Sequence, residues 1–304
     1  MFENFTTFDI TVEPDVTIHG VHGGSGPALL LLHGFPQTHH IWHLVADELA
    51  KSYYVVAMDL RGYGSSSKPD GGEGHVRYGK KAMARDAVVV MKELLKRRDD
   101  SQNQNGEESF YVCAHDRGAR VTHRLCVDYP HLVKKAILLD ICPTLAMYTQ
   151  TSREFAQAYF HWFFLIQQSP LPEISISTNA QVWVENFMGA RYAGLAPFAE
   201  ECLAEYKANL ANHETVHAMC EDYRASASID LKEAEEDVVA GRKVQCPLRV
   251  LWGKQGVAGT LFDALGEWRK VSSQSVDGNG VNSGHYIPEE TPEEVIANVL
   301  EFCK

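Results

Sequence analysis

The sequence predicts an α/β protein with a mostly parallel central sheet and a helical cap inserted into it. Three observations carry this expectation. Over residues 1–142, short apolar runs alternate with amphipathic helical stretches. From 143 to 243 the alternation stops, and aromatic residues and helix formers dominate. From 244 to 304 the strand–helix alternation resumes. The expected organisation is a core in two parts, 1–142 and 244–304, with a cap at 143–243.

The elements follow in order. Leu29–His33, Tyr54–Asp59, Phe110–Ala114, Ala136–Asp140 and Leu248–Trp252 read as strands, each a short apolar run. Helical patterns lie at Trp42–Ala50, Lys80–Leu95, Arg117–Asp128, Leu261–Arg269 and Pro292–Phe302. The last is introduced by Thr291-Pro292-Glu293-Glu294, a capping-box pattern with proline at the first helical position. Arg97 to Ser109 is polar and of low complexity, and reads as a surface loop. No internal repeat is present in the sequence.

Composition narrows the function. A chain of 304 residues suffices for one large domain with an inserted module. With 45% apolar and 22% charged residues it is of ordinary globular make-up. A net charge of −12 argues against nucleic acid or an anionic membrane as partner. The longest aliphatic run, Ala28–Leu32, is far too short to span a bilayer, and the N-terminus lacks a basic signal-like region. The seven cysteines are scattered without a C-x-x-C pair, which reads as reduced, buried thiols in a cytoplasmic protein. An acidic chain that binds an anionic substrate needs a local basic pocket.

The run Tyr111-Val112-Cys113-Ala114-His115-Asp116-Arg117-Gly118 joins a strand to a helix through small residues. This is the context of a nucleophile elbow, with Ala114 in place of the usual first glycine and Asp116 where a serine would stand. A carboxylate displaces leaving groups at saturated carbon and forms an ester that water must then cleave. The bland reading of Asp116 is an N-cap of the following helix. Two partners favour the catalytic one. His285, in Ser283-Gly284-His285, lies late in the chain, where the triad order of the α/β-hydrolase fold puts its base. The acid is Asp140 at a strand end, because Lys254, Gln255 and Gly256 leave the alternative position without an acid; Asp263 is the fallback. The main-chain N–H groups of Phe35, in His33-Gly34-Phe35-Pro36, and Arg117 are the candidate oxyanion hole.

These residues resemble the fluoroacetate dehalogenase family, which groups with haloalkane dehalogenases and epoxide hydrolases. His33-Gly34-Phe35-Pro36-Gln37, Asp59 to Ser65, His115 to Arg120 and Gly284-His285 carry the resemblance, which covers nearly the whole chain. The resemblance implies an α/β-hydrolase fold, no cofactor, hydrolysis of a small anionic 2-halo acid and a homodimer. Arg117 and Arg120, three apart on one helix face, would bind the substrate carboxylate and supply the required basic pocket. His161, Trp162 and Tyr223 match family residues that bind the departing fluoride; as bare sequence, such an aromatic cluster is more often cap core.

Other readings remain open. His213-Glu214-Thr215-Val216-His217 matches H-E-x-x-H without an evident third ligand. His39, His40 and His43 read as helix surface rather than ligands. An epoxide hydrolase would use Tyr148 and Tyr223 to protonate the opening ring. A non-catalytic receptor on this fold would have no need of a complete Asp–His–Asp set.

Overall fold

The computed structural model describes residues 1–98 and 108–304. Eight strands form one sheet in the order β1-β2-β4-β3-β5-β6-β7-β8. They are β1 (Thr6–Glu13), β2 (Val16–Gly24), β3 (Ala28–Leu32), β4 (Tyr54–Met58), β5 (Phe110–His115), β6 (Val133–Leu139), β7 (Leu248–Gly253) and β8 (Val276–Val281). From β4 to β8 every neighbour is parallel, whereas β1–β2 and β2–β4 pair antiparallel.

Leu29 and Leu31 point to one face of the sheet and Leu30 and Leu32 to the other, so both faces are covered. One face packs on Trp42, Val295 and Val299; the other packs on helix Lys80–Arg97 and, beyond the sheet's end, on the cap. The segment between β6 and β7 is helical, from Thr144–Thr149 to Ile229–Ala240, as the loss of strand signals predicts.

The five expected strands all form, with ends shifted by a few residues. The three others lack a continuous apolar run. In β1 exposed and buried residues mix, because one face meets solvent. In β8, Val276-Asp-Gly-Asn-Gly-Val281, only the end residues are buried. There Gly278, at φ 140°, lies so close to β7 that a Cβ would stand 1.8 Å from the Val250 carbonyl oxygen.

Helices Lys80–Arg97, Asp116–Asp128 and Pro292–Phe302 appear where the periodicity puts them. The expected Trp42–Ala50 helix is instead a 3₁₀ turn, His39–Trp42, and a short helix, Ala46–Leu49. The expected Leu261–Arg269 helix breaks in two, because Asp263 accepts from Gly266 N–H at 3.0 Å and starts a new helix, Ala264–Lys270. The capping box at Thr291 does not form: its hydroxyl donates to the Ile287 carbonyl at 3.3 Å. Most of the polar loop expected at Arg97–Ser109 lies outside the described residues, and Arg97 itself closes a helix. All seven cysteines are buried and unlinked. Among the described residues, no helix is long and apolar enough to cross a membrane.

Candidate active site

Strand β5 ends at His115, and Asp116 opens the next helix with φ at 43°. The turn tolerates no side chain at Gly118, where a Cβ would stand 2.5 Å from the His33 carbonyl oxygen, and Gly118 N–H donates to that oxygen at 2.8 Å. Asp116 does not cap its own helix, since the residue before it occupies the N-cap position. Its Oδ2 accepts instead from the Phe35 main-chain N–H at 3.1 Å. Gly34 makes that approach possible, because a Cβ there would lie 2.6 Å from the Asp116 Cβ.

Asp140 stands just past β6, also with a left-handed backbone, φ 52°. Such conformations cost about 1–3 kcal/mol for a non-glycine residue and gather where a side chain must be aimed. Asp140 Oδ2 takes the His285 Nδ1–H at 2.7 Å, and its Oδ1 accepts from Gly253 N–H at 2.9 Å. With Nδ1 so engaged, Nε2 is left to act as a base. The loop carrying His285 is clamped from both sides: Gly284 N–H and Tyr286 N–H donate to the two oxygens of Glu290 at 2.6 and 2.9 Å. His115 Nε2 donates to the His285 carbonyl at 2.8 Å.

Burial pushes the Asp116 carboxyl up, yet the imidazoles of His285 and His115 and the guanidinium groups of Arg120 and Arg117 hold it at about 2. The arginines are permanent cations, whereas burial, and after it neighbouring His285, keeps His115 neutral down to about 3.

Asp116 and His285 line a small chamber with Phe35, His161, Trp162 and Tyr159. Trp162 and His161 come from one cap helix, Phe160–Leu165. His161 stacks on Phe35, ring centres 5.9 Å apart, and its Nδ1 is buried without a partner. Burial holds its imidazole neutral, so one ring nitrogen carries hydrogen. Tyr223, from helix His213–Ser226, meets the Phe35 ring edge-on at 5.3 Å. The three cap residues singled out in sequence therefore converge on the side of the cap that faces Asp116 and Phe35.

The two arginines stand behind this wall. The Arg117 guanidinium lies 4.2 Å from the Tyr223 ring centre and that of Arg120 lies 4.7 Å from the Trp162 ring. Both are buried, 1% and 2% exposed. Arg117 is largely committed to the protein, with one nitrogen left over. Its Nε and one terminal nitrogen donate to Asp222 at 2.9 and 2.6 Å, and the latter also reaches Ser226 at 2.7 Å. Asp222 in turn binds Lys80 and accepts from the Tyr63 hydroxyl at 2.7 Å. Arg120 donates to Thr144 at 2.9 Å and to the Cys142 carbonyl at 3.3 Å. Each arginine keeps one buried nitrogen without a partner, Nη1 of Arg117 and Nε of Arg120.

Volume alone would misplace the site. A roomier cavity of about 280 Å³ lies against the far side of Arg120, under helix Ile229–Ala240, and none of Asp116, Asp140 or His285 lines it.

A model of the α/β hydrolase fold matches residues 27–167. A fluoroacetate dehalogenase of Burkholderia sp is 39% identical over 99% of this chain and 95% of its own. The chain belongs to the fluoroacetate dehalogenase family of the α/β-hydrolase fold. It is a hydrolase. A soluble epoxide hydrolase of Corynebacterium sp. (strain C12) is 30% identical over 94% of the chain and 93% of its own. Among solved structures, an α/β hydrolase from Nostoc sp PCC 7120 superposes with a TM-score of 0.92 at 44% identity, covering 100% of this chain and 99% of that one.

Within this family frame the remaining expectations sort themselves. Asp263 is a helix cap and not a triad acid. In the H-E-x-x-H run, His213 is exposed at a helix start and His217 Nδ1 pairs with Glu173 at 3.0 Å. His39 is no surface residue: it is 5% exposed and pairs with Asp59 at 2.8 Å. His40 pairs with Glu205, and His43 donates to the His40 carbonyl at 2.9 Å. Tyr148, the epoxide-opening candidate, has a buried hydroxyl without a partner, and its ring lies 4.9 Å from Trp162.

Sequence reasoning missed Asp222, Glu290 and Tyr159. Asp222 holds Arg117 across 105 positions and Tyr159 meets His285 across 126, separations that local patterns do not register. The Tyr159 hydroxyl lies 3.3 Å from His285 Nδ1, farther than Asp140, and burial raises its pKa well above the ordinary tyrosine range. Glu290 was visible as one of a glutamate pair before the last helix, but nothing in the sequence says that it faces backward.

Proposed function

We propose that this hydrolase removes halide from a small 2-halo acid, with fluoroacetate as the type, through an ester of Asp116. The observation that carries the reading is the pair of buried, unpartnered arginine nitrogens on the nucleophile's own helix. An unpaired buried donor is costly, and two cationic ones suit the two oxygens of a carboxylate.

In the first step an Asp116 oxygen attacks the halogen-bearing carbon in line. The carbon–halogen bond breaks, halide leaves with its electron pair, and the carbon becomes esterified to Asp116. Fluoride is strongly hydrated, so departure inside a tight chamber needs donors in place of water. His161, Trp162 and Tyr223 supply them. In the second step His285 Nε2 takes a proton from water, which adds to the ester carbonyl. The Phe35 and Arg117 main-chain N–H groups hold the resulting oxyanion. The acyl–oxygen bond then breaks, the hydroxy acid leaves with the proton returned by His285, and Asp116 is regenerated. The net reaction consumes one water and releases one halide and one proton.

A second reading, epoxide hydrolysis, has one observation in its favour: the Tyr148 hydroxyl is buried and without a partner. It could protonate an opening ring together with Tyr223. Halide release from fluoroacetate and chloroacetate, with Asp116→Asn as control, tests the first reading; diol formation from a terminal epoxide tests the second. Halide from neither acid, with diol from the epoxide, would reverse the assignment.

A further inference from the structure

The chamber beside Asp116 is tight. Its free volume is about 10 Å³, room for roughly one water. A second, outer hollow of about 360 Å³ abuts it. The two share Tyr159, His161, Phe187, Arg191 and His285, which form the partition between them. Four of these are rings, and Arg191 is the one permanent cation in the partition.

Arg191 is held by main-chain carbonyls, by the Tyr159 ring and by the Tyr286 side chain. Its Nε donates to the Phe187 carbonyl at 3.2 Å, one terminal nitrogen to the Ala158 carbonyl at 3.3 Å, and its guanidinium lies 4.7 Å from the centre of the Tyr159 ring. Among the described residues it forms no ion pair with a carboxylate, in contrast to Arg61, Arg117, Arg124 and Arg224. It belongs to the irregular stretch between the turn Glu185–Gly189 and helix Glu200–Ala211, beside the exposed Tyr192. On a chain of net charge −12, a guanidinium without a carboxylate partner in the wall shared by hollow and chamber marks where an anion is drawn in.

We propose that Arg191 is the gate and capture residue for the anionic substrate. The carboxylate first pairs with Arg191 in the outer hollow. Arg191 leaves the Tyr159 ring to make that pair, which opens the partition, and the acid passes inward to the free nitrogens of Arg117 and Arg120. On its return Arg191 closes the chamber over the substrate and restores the Tyr159–His285 contact. The idea rests on the haloacid reading for its substrate, but its physical content is the passage of a small carboxylate.

The experiment uses the whole enzyme and its Arg191→Gln and Arg191→Lys variants. Stopped-flow tryptophan fluorescence measures association of acetate, an unreactive carboxylate, against acetamide, its neutral counterpart, over a range of salt. Steady-state halide release from chloroacetate gives kcat and kcat/KM. For Arg191→Gln, acetate association slows about tenfold at low salt and loses most of its salt dependence, and acetamide changes little. The kcat/KM for chloroacetate falls by a similar factor, with a smaller drop in kcat, and Arg191→Lys recovers most of both. Equal slowing for acetate and acetamide, or parallel loss of kcat and kcat/KM with a lowered Tm, assigns Arg191 a packing role and overturns the proposal. If the wild-type enzyme releases no halide from any acid, the haloacid reading fails by itself, and the acetate rates still decide the gate.

Discussion

The core and cap halves of the site are built on different principles. On the core side, Asp116, Asp140, His285 and Phe35 sit at strand ends and in the loops that follow, aimed by the backbone and by short hydrogen bonds. Two of these residues hold left-handed conformations that the surrounding sheet imposes. On the cap side, His161 and Trp162 sit on a short helix, Tyr223 on the longer helix His213–Ser226 and Arg191 in an irregular stretch, aimed by ring contacts and by one buried ion-pair hub at Asp222. On the proposed function, the difference assigns bond cleavage to the sheet side, where the backbone aims the groups, and choice of substrate to the cap, where side-chain contacts set the shape. Core substitutions should then abolish turnover with the fold intact, and cap substitutions should shift preference among substrates.

The sharpest test of the core is Asp116→Asn, expected to lower halide release by about 10⁴-fold or more with little change in Tm. Residual turnover above that level would mean that another group attacks. Next is His285→Gln, in which ester formation continues and hydrolysis stalls. Mass spectrometry should find Asp116 carrying a carboxymethyl group after exposure to chloroacetate, and an unmodified peptide would break the two-step scheme. Asp140→Asn should slow the same hydrolysis by about 10²–10⁴-fold, because His285 loses its orienting acceptor.

Asp222→Ala tests whether the cap hub is as consequential as its burial suggests. It leaves Arg117 and Lys80 buried without their shared acid, an expected loss of about 3–5 kcal/mol in stability by denaturant titration. The conservative Asp222→Asn should recover part of the stability yet still raise KM for the acid, since Arg117 is no longer held in place. Trp162→Phe removes one halide donor and keeps the ring. It should cost about 10- to 100-fold in fluoride release and much less in chloride release, as fluoride depends more on hydrogen bonding. Equal losses for both halides would reduce Trp162 to packing.

The smallest effect is in acid. His115 is fully buried and, through burial first and repulsion from His285 second, stays neutral down to about 3. Below its ordinary value of 6.5 the unfolded chain takes up a proton that the folded chain refuses. Stability therefore falls as pH drops from 6.5 toward 3, by up to about 1.4 kcal/mol per pH unit from this one group. A His115→Gln variant should show a shallower loss in thermal melts over that range, whatever its stability at neutral pH.

Legibility followed the same division. The five predominantly apolar runs became the five central strands, because strands covered on both faces are mostly apolar; Lys134, Lys135 and Arg249 stand only where burial is partial. The edge strands β1 and β8 escaped, since one-sided burial leaves half their residues free to be polar or glycine. In the site, Asp116 was singled out by its strand–turn–helix motif, His285 by its place late in the chain and Asp140 by the missing acid at 254–256, and the structure brings the three together. The structure supplies a physical counterpart to that gap: a Cβ at Gly256 would come within 2.9 Å of the Asp140 carboxylate, which occupies the space beside it.

By itself the sequence determined the mostly parallel sheet, the helical stretch between β6 and β7, the strand–turn–helix at Asp116 and the arginines on its helix, each encoded in local runs and spacings. Tertiary structure decided how free those arginines are, what clamps the histidine loop, and which cation stands at the chamber's wall. Asp222, Glu290 and Arg191 act through contacts that exist only once cap and core have closed on each other, or once the chain has turned back on itself. Periodicity and short motifs record what a residue does to its neighbours in the chain; burial and charge pairing depend on neighbours that folding brings.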